Sequence, residues 1–352
     1  MDGAQLSIDQ TFRDAQQNSI RHLKEHLPHS HTLEQLCPLQ RFGHNDTNLP
    51  TEDLGDLHKL PVELRCAVLG ELDLKSLLAF SKVNRCAVRA VESMQSWKKV
   101  MKCAPNAIRM AIGIQTTHLF TVDQLASALD QRKCVDCGLL APYLDVFTLD
   151  RCCLNTGGGC GARTPYRCRV VDKDWENFGI PQNHVGRLQL SSFRPLPGYY
   201  LHGIDDDFSE LCIKPEERHL VFDGDAVVKL LRTVGHSTFL SGDVVLIDDW
   251  EDGYNLGFWH LSAVFAQWPS ILDGEYALSM GVFCGICRNT SKYQGLRMDN
   301  AFYEPWNPIS LSEGEEKELA MRAPLFSESS ELIDHMKEVH GIVGLHDCAD
   351  RL

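Results

Sequence analysis

The hydrophobic pattern of residues 60–72, LPVELRCAVLGEL, draws two apolar stripes on a helical wheel instead of one. Val62, Cys66 and Leu69 fall together at spacings of four and three; Leu64, Val68 and Leu72 fall together at spacings of four. Arg65 sits between the stripes, and Glu63 and Gly70 take the far side. A surface helix in a globular domain normally turns one stripe to one core. The second stripe needs something to cover it, inside the chain or outside.

The same periodicity predicts three short helices over 57–105, of which this is the first. Pro61 suits a first helical position, where its missing N–H costs nothing. Asp73 is placed to cap LKSLLAFSKV, and Asn84 to cap RCAVRAVESMQSW. Beyond 106, AIRMAIGIQ and TVDQLASALDQ read as helices, the second opening on a Thr121 cap. Residues 154–200 are loop-rich, with TGGGCG, IPQN and PLPG as turn signals. DGDAVVKLLRTVG reads as a helix and TFLSGDVVLID as strand, while LGFWHLSAVFAQW stays open between the two. Residues 289–325 read as loop, and SSELIDHMKEVHG as a last helix. No internal repeat recurs, which disfavours propellers and solenoids.

Composition adds the boundaries. The 352 residues suit about two or three domains, and a hydrophobic share of 43% is that of a folded, soluble chain. Residues 1–52, rich in Gln, Asn, His and acids, are expected as a mostly flexible tail. The first thirty residues lack a signal-peptide core, and no stretch has the apolar length of a membrane span. The expected location is therefore the cytoplasm or nucleus, where thiols stay reduced. The fourteen cysteines then read as metal ligands and small buried apolar residues, not as a disulfide framework.

Charge is unevenly spread. Residues 57–105 carry nine bases against four acids (net +5), within a chain of net −14. A chain so acidic outside one short basic segment is a poor coat for a nucleic-acid backbone. The basic segment is also the one with the two-striped helix.

That segment, LHKLPVELRCAVLGELDLKSLLAFSKVNR through Trp97, resembles the F-box. It carries the Leu60-Pro61 opening, Glu63-Leu64, Leu69 and Leu72, then Asp73, Leu77 and Leu78, and Val83-Asn84-Arg85 before the third helix. The resemblance implies docking to the Skp-type adaptor of a cullin–RING ubiquitin ligase. By position, Leu60, Pro61, Leu64, Leu69, Leu72, Leu77 and Val83 would lie at or beside that contact. The competing view makes them the core of an ordinary helical bundle. The second stripe favours the contact, and the local positive charge suits an acidic partner.

Two cysteine and histidine clusters follow. Cys134-x2-Cys137 can reach one tetrahedral ion from a single turn, relaxed by Gly138. Cys153 and Cys160 supply a second pair, with Cys152 as alternative to Cys153. The other cluster joins Cys284-x2-Cys287 to His335 and His340 on the last helix, with His346 and Cys348 as competitors. Both would be closed, structural zinc sites. The first also resembles a cysteine module found after the F-box in many fungal F-box proteins, of the form CxxCG…PYL…T…RxCxxC. Thr156 stands where that form has its fourth cysteine, and Cys160 lies four residues later. Without metal, the alternative is a knuckle held by packing of Leu139, Tyr143, Leu144 and Phe147.

Nothing points to catalysis. HMKEVH has its glutamate at the wrong offset for a metalloprotease, GGGCGA lacks the Lys-Ser/Thr of a phosphate loop, and GxSxG is missing. The expected fold is α+β: a flexible tail at 1–52, a three-helix F-box at 53–105, and a mixed, loop-rich, zinc-stabilised region at 106–352. The expected function is that of a non-enzymatic substrate receptor in an SCF-type ubiquitin ligase. Its partners would be the Skp-type adaptor, the cullin scaffold and a protein client held by 171–280, where Tyr199, Tyr200, Trp250 and Trp259 are candidate contacts. The rivals are a zinc-stabilised regulatory or nucleic-acid-binding protein, and an F-box protein that uses the adaptor without ligase activity.

Overall fold

The computed structural model describes residues 53–135, 140–153, 190–204, 207–214, 219–223, 261–272, 275–279, 281–283 and 329–341, with Leu33, Leu39, Pro50, Gly138, 169–171, Glu216, Ala226 and 325–326 besides. A 3-10 turn at Gly55–Lys59 leads into α1, Val62–Gly70. Pro61 stands one place before the helix, as its extended cap residue, and its carbonyl accepts from Arg65 N at 3.0 Å. Next comes α2, Leu74–Phe80, where the Asp73 carboxylate accepts from Ser76 N at 2.7 Å. Asn84 opens α3, Arg85–Ser93, by accepting from Ala87 N at 2.8 Å. Both caps stand where the sequence placed them, because each satisfies an amide that the first helical turn leaves without a partner.

The stretch expected as one third helix is two. Met94, extended at ψ 131° and buried, ends α3 and starts α4, Gln95–Cys103. Residues 57–105 therefore hold four helices, not three. The helix α5 is Pro105–Gly113, with proline in its first turn. A capping box between Thr121 and Gln124 opens α6, Val122–Asp130.

The remainder is antiparallel sheet in small pieces, followed by one helix. In the best-packed piece β1, Tyr143–Asp145, lies between β2, Asp150–Cys152, and β8, Ala263–Phe265. The turn joining β1 to β2 is held by the buried Asp145 carboxylate, which accepts from Phe147 N at 2.9 Å and Ser262 Oγ at 2.8 Å. A second sheet sets β7, Val221–Asp223, between β3, Arg169–Val171, and β4, Ser192–Phe193. Three two-stranded pairs complete the sheet: β5 with β6 (Gly198–Ile204, Asp207–Ile213), β9 with β10 (Trp268–Leu272, Glu275–Ser279), and β11 with β12 (Val282–Phe283, Leu325–Phe326). The last helix, α7, is Ser329–His340, as its periodicity predicts. LGFWHLSAVFAQW resolves to strand where it is described, at β8 and the start of β9.

The molecule is thus a helical F-box-like region followed by a mixed α/β region. Leu33 and Leu39, from the segment expected as tail, are buried in the same core as the helices. The helix expected at DGDAVVKLLRTVG and the strand at TFLSGDVVLID lie outside the described residues, apart from Asp223 and Ala226, as does the loop expected at 289–325 apart from Leu325.

Candidate docking surface

The two stripes of α1 have different fates. Leu69 is 1% exposed and Cys66 is half-buried, its Sγ 4.0 Å from Ser93 Oγ on α3. That stripe faces the protein's own core over most of its length. On the other side Leu64 and Val68 stand 54% and 49% exposed, and Val62 at the helix start is 51% exposed. Val83, in the turn before α3, is 58% exposed. These are four of the six large apolar side chains exposed among the described residues, and all fall between 62 and 83. Covering what remains open of such a side chain would gain on the order of 1 kcal/mol. Three of the four lie on α1 itself, which makes that helix a candidate interaction surface.

The exposed charge of this segment is mostly basic, although Glu63 of α1 and Glu71 just after it are exposed too. Lys59, Lys75, Lys82, Arg89, Lys98 and Lys102 are all exposed. The backbone under the face is tied down at several points. Arg65 Nη2 donates to Leu60 O at 3.1 Å, and Asn84 Nδ2 donates to Asp53 O at 3.0 Å while its Oδ1 caps α3. Arg85 N donates to Pro50 O at 3.0 Å. One buried asparagine thereby fixes both the start of α3 and the chain leading into the 3-10 turn.

The residues expected at the contact fall into three groups. Pro61, Leu64 and Val83 are exposed; Leu60 and Leu72 are half-buried at the edge. Leu69 and Leu77, 1% and 0% exposed, are core residues that support the face from behind. Val62 and Val68 are exposed members missing from the expected set, although their spacing on the two stripes already marked them.

The expectation of structural zinc is overturned. Among the described residues no group of three or more His, Cys, Asp or Glu side chains is arranged to hold a metal ion. Cys134 packs with Ala141 and the half-buried Cys153 in a small apolar cluster, which brings together two thiols where a closed zinc shell needs four ligands. Cys152 is buried in β2 opposite Tyr143. Burial, with the neighbouring Cys152 and Cys153 thiols, holds the Tyr143 hydroxyl well above its ordinary pKa. His335 and His340 do share a face of α7, but they meet each other edge to face at 5.1 Å. Cys137, Cys160, Cys284 and Cys287 lie outside the described residues, as do Leu139, Thr156, Trp250, Trp259, His346 and Cys348.

Residues 57–99 match the model of the F-box domain. The chain therefore carries an F-box domain, a non-catalytic adaptor module, which is consistent with a non-enzymatic protein. All four exposed apolar residues of the face lie within the match. No helix among the described residues is long and apolar enough to cross a membrane. Comparison with curated proteins and with solved structures finds no match.

Proposed function

We propose that this chain is the substrate-receptor subunit of an SCF-type cullin–RING ubiquitin ligase, docking to a Skp-type adaptor through the outer face of α1 and Val83. The observation that carries the reading is apolar surface left open inside the F-box match: Leu64 and Val68 of the second stripe, with Val62 at the helix start and Val83 in the turn before α3. A stable contact buries about 1,600 Å² in total, with apolar anchors at its centre and a polar rim. Here the anchors would be these four side chains, and the net positive charge of 57–105 would suit an acidic partner.

The α/β region would hold a client within 171–280, where β4 to β10 fall. The role is proximity: holding a client beside a charged ubiquitin carrier raises effective concentration without any catalytic group from this chain. Such work belongs in the cytoplasm or nucleus.

The test is capture of purified Skp-type adaptor by the full chain and by the Leu64→Asp, Val68→Asp double variant. Capture by the native chain, lost in the variant while its thermal unfolding is unchanged, supports the reading. Equal capture by both sinks it. A reconstituted ubiquitylation assay then separates a ligase receptor from a protein that uses the adaptor for stability alone.

A further inference from the structure

The F-box match stops at residue 99, but the helix carrying that residue does not. α4 continues to Cys103 and packs on α3, α5, α6, β9 and β10. One core runs from Leu69, Leu74 and Leu77 through Val100 and Leu129 to Leu144 and Val264. Among the described residues, the core continues across the boundary of the match.

α6 spans the two regions. Its start is joined to the F-box: Thr121 forms a β-bridge with Asp73, and Leu74 N donates to Phe120 O at 2.9 Å. Gly70, at the end of α1, lies so close to Asp123 that a Cβ there would clash with the Asp123 carboxylate. The other end of α6 is held by two cations. Arg151 of β2, 0% exposed, donates from Nη1 to Ala266 O and from Nη2 to Leu129 O at 3.0 Å, with Gln267 O farther off at 3.4 Å. Lys99 of α4 bonds the Asp130 carboxylate. Carbonyls in the last turn of a helix lack intrahelical partners, and a cation there is favoured by the helix dipole. Burial pushes the Arg151 guanidinium down to about 10, so it remains a cation at neutral pH.

We infer that α6 is a strut that makes the F-box and the α/β region one cooperative body, locked at its carboxyl end by Arg151 and Lys99. The open face of α1 is then carried at a fixed orientation to the sheet instead of swinging on a linker. The inference does not depend on which partner that face takes.

The test is hydrogen exchange by the full chain, read at Leu77 and Val91 in the F-box and at Leu144 and Val264 in the sheet. Arg151→Met keeps the side chain's bulk but removes the donors, leaving the carbonyls of Ala266, Leu129 and Gln267 short of a partner. Protection should fall by the same factor in both regions, about tenfold to a hundredfold. Loss in the sheet with F-box protection unchanged overturns the inference. Should the variant not accumulate as folded protein, the native chain in rising sub-denaturing urea gives the same comparison. Exchange at the four amides converging on one line supports a single body; a separate, earlier line for Leu77 and Val91 overturns it.

Discussion

α1 and β2 place opposite kinds of side chain in opposite kinds of environment. On α1, Val62, Leu64 and Val68 stand in water although burial would favour them. On β2, Arg151 is shut away although water would favour it. Each position runs against the ordinary distribution of side chains. About half of each aliphatic remains in water, and the proposed adaptor contact would cover it. The buried arginine has three internal carbonyl acceptors, so its cost is explained by what it joins. An exception to burial on the outside points to a partner; one on the inside points to a joint.

Four substitutions break or sharpen this contrast. The largest effect on stability is expected inside, at Leu144, the fully buried centre of β1. Leu144→Ala should lower the unfolding free energy by about 2–5 kcal/mol, measured by urea denaturation. A loss below about 1 kcal/mol would mean the sheet is not part of the cooperative core. Next comes Asn84→Ala, which removes both the α3 cap and the tie to Asp53 O. The expected cost is about 1–2 kcal/mol, and a thermal melt reads it.

Leu64→Ala should change stability by less than about 0.5 kcal/mol, because its side chain is more than half in water. Its effect should appear in partner capture instead, and a large fall in melting temperature would show that the outer stripe belongs to the core. The smallest effect is expected at the exposed Asp56–Lys59 ion pair. Asp56→Ala should leave unfolding unchanged in low and in high salt, since such pairs contribute little.

Legibility in the sequence followed the range of the physics. Helix caps act over three residues, so Asp73, Asn84 and Thr121 were readable from the chain and stand as caps. The break at Met94 was not readable: RCAVRAVESMQSW holds no Gly or Pro, and the bend places a buried Met94 between two amphipathic helices. Zinc failed for a related reason. Spacing brings Cys134 within reach of a neighbour in sequence, but which thiols converge depends on the fold, which packs Cys153 against Cys134 and Ala141. The exposed face of α1 was half legible. Two stripes were evident in LPVELRCAVLGEL, yet the wheel alone did not say which one turns inward.

The sequence by itself determined the short-range features: where α2, α3 and α6 begin, that α1 has more apolar surface than one core takes, and that residues 57–99 form an F-box. These rest on spacings within one or two helical turns. Tertiary structure alone decided that Leu69 turns in while Leu64 and Val68 turn out, and that Arg151 reaches Leu129 and Ala266. Both depend on packing between segments far apart in the chain, and local propensity carries no information about which distant surface arrives.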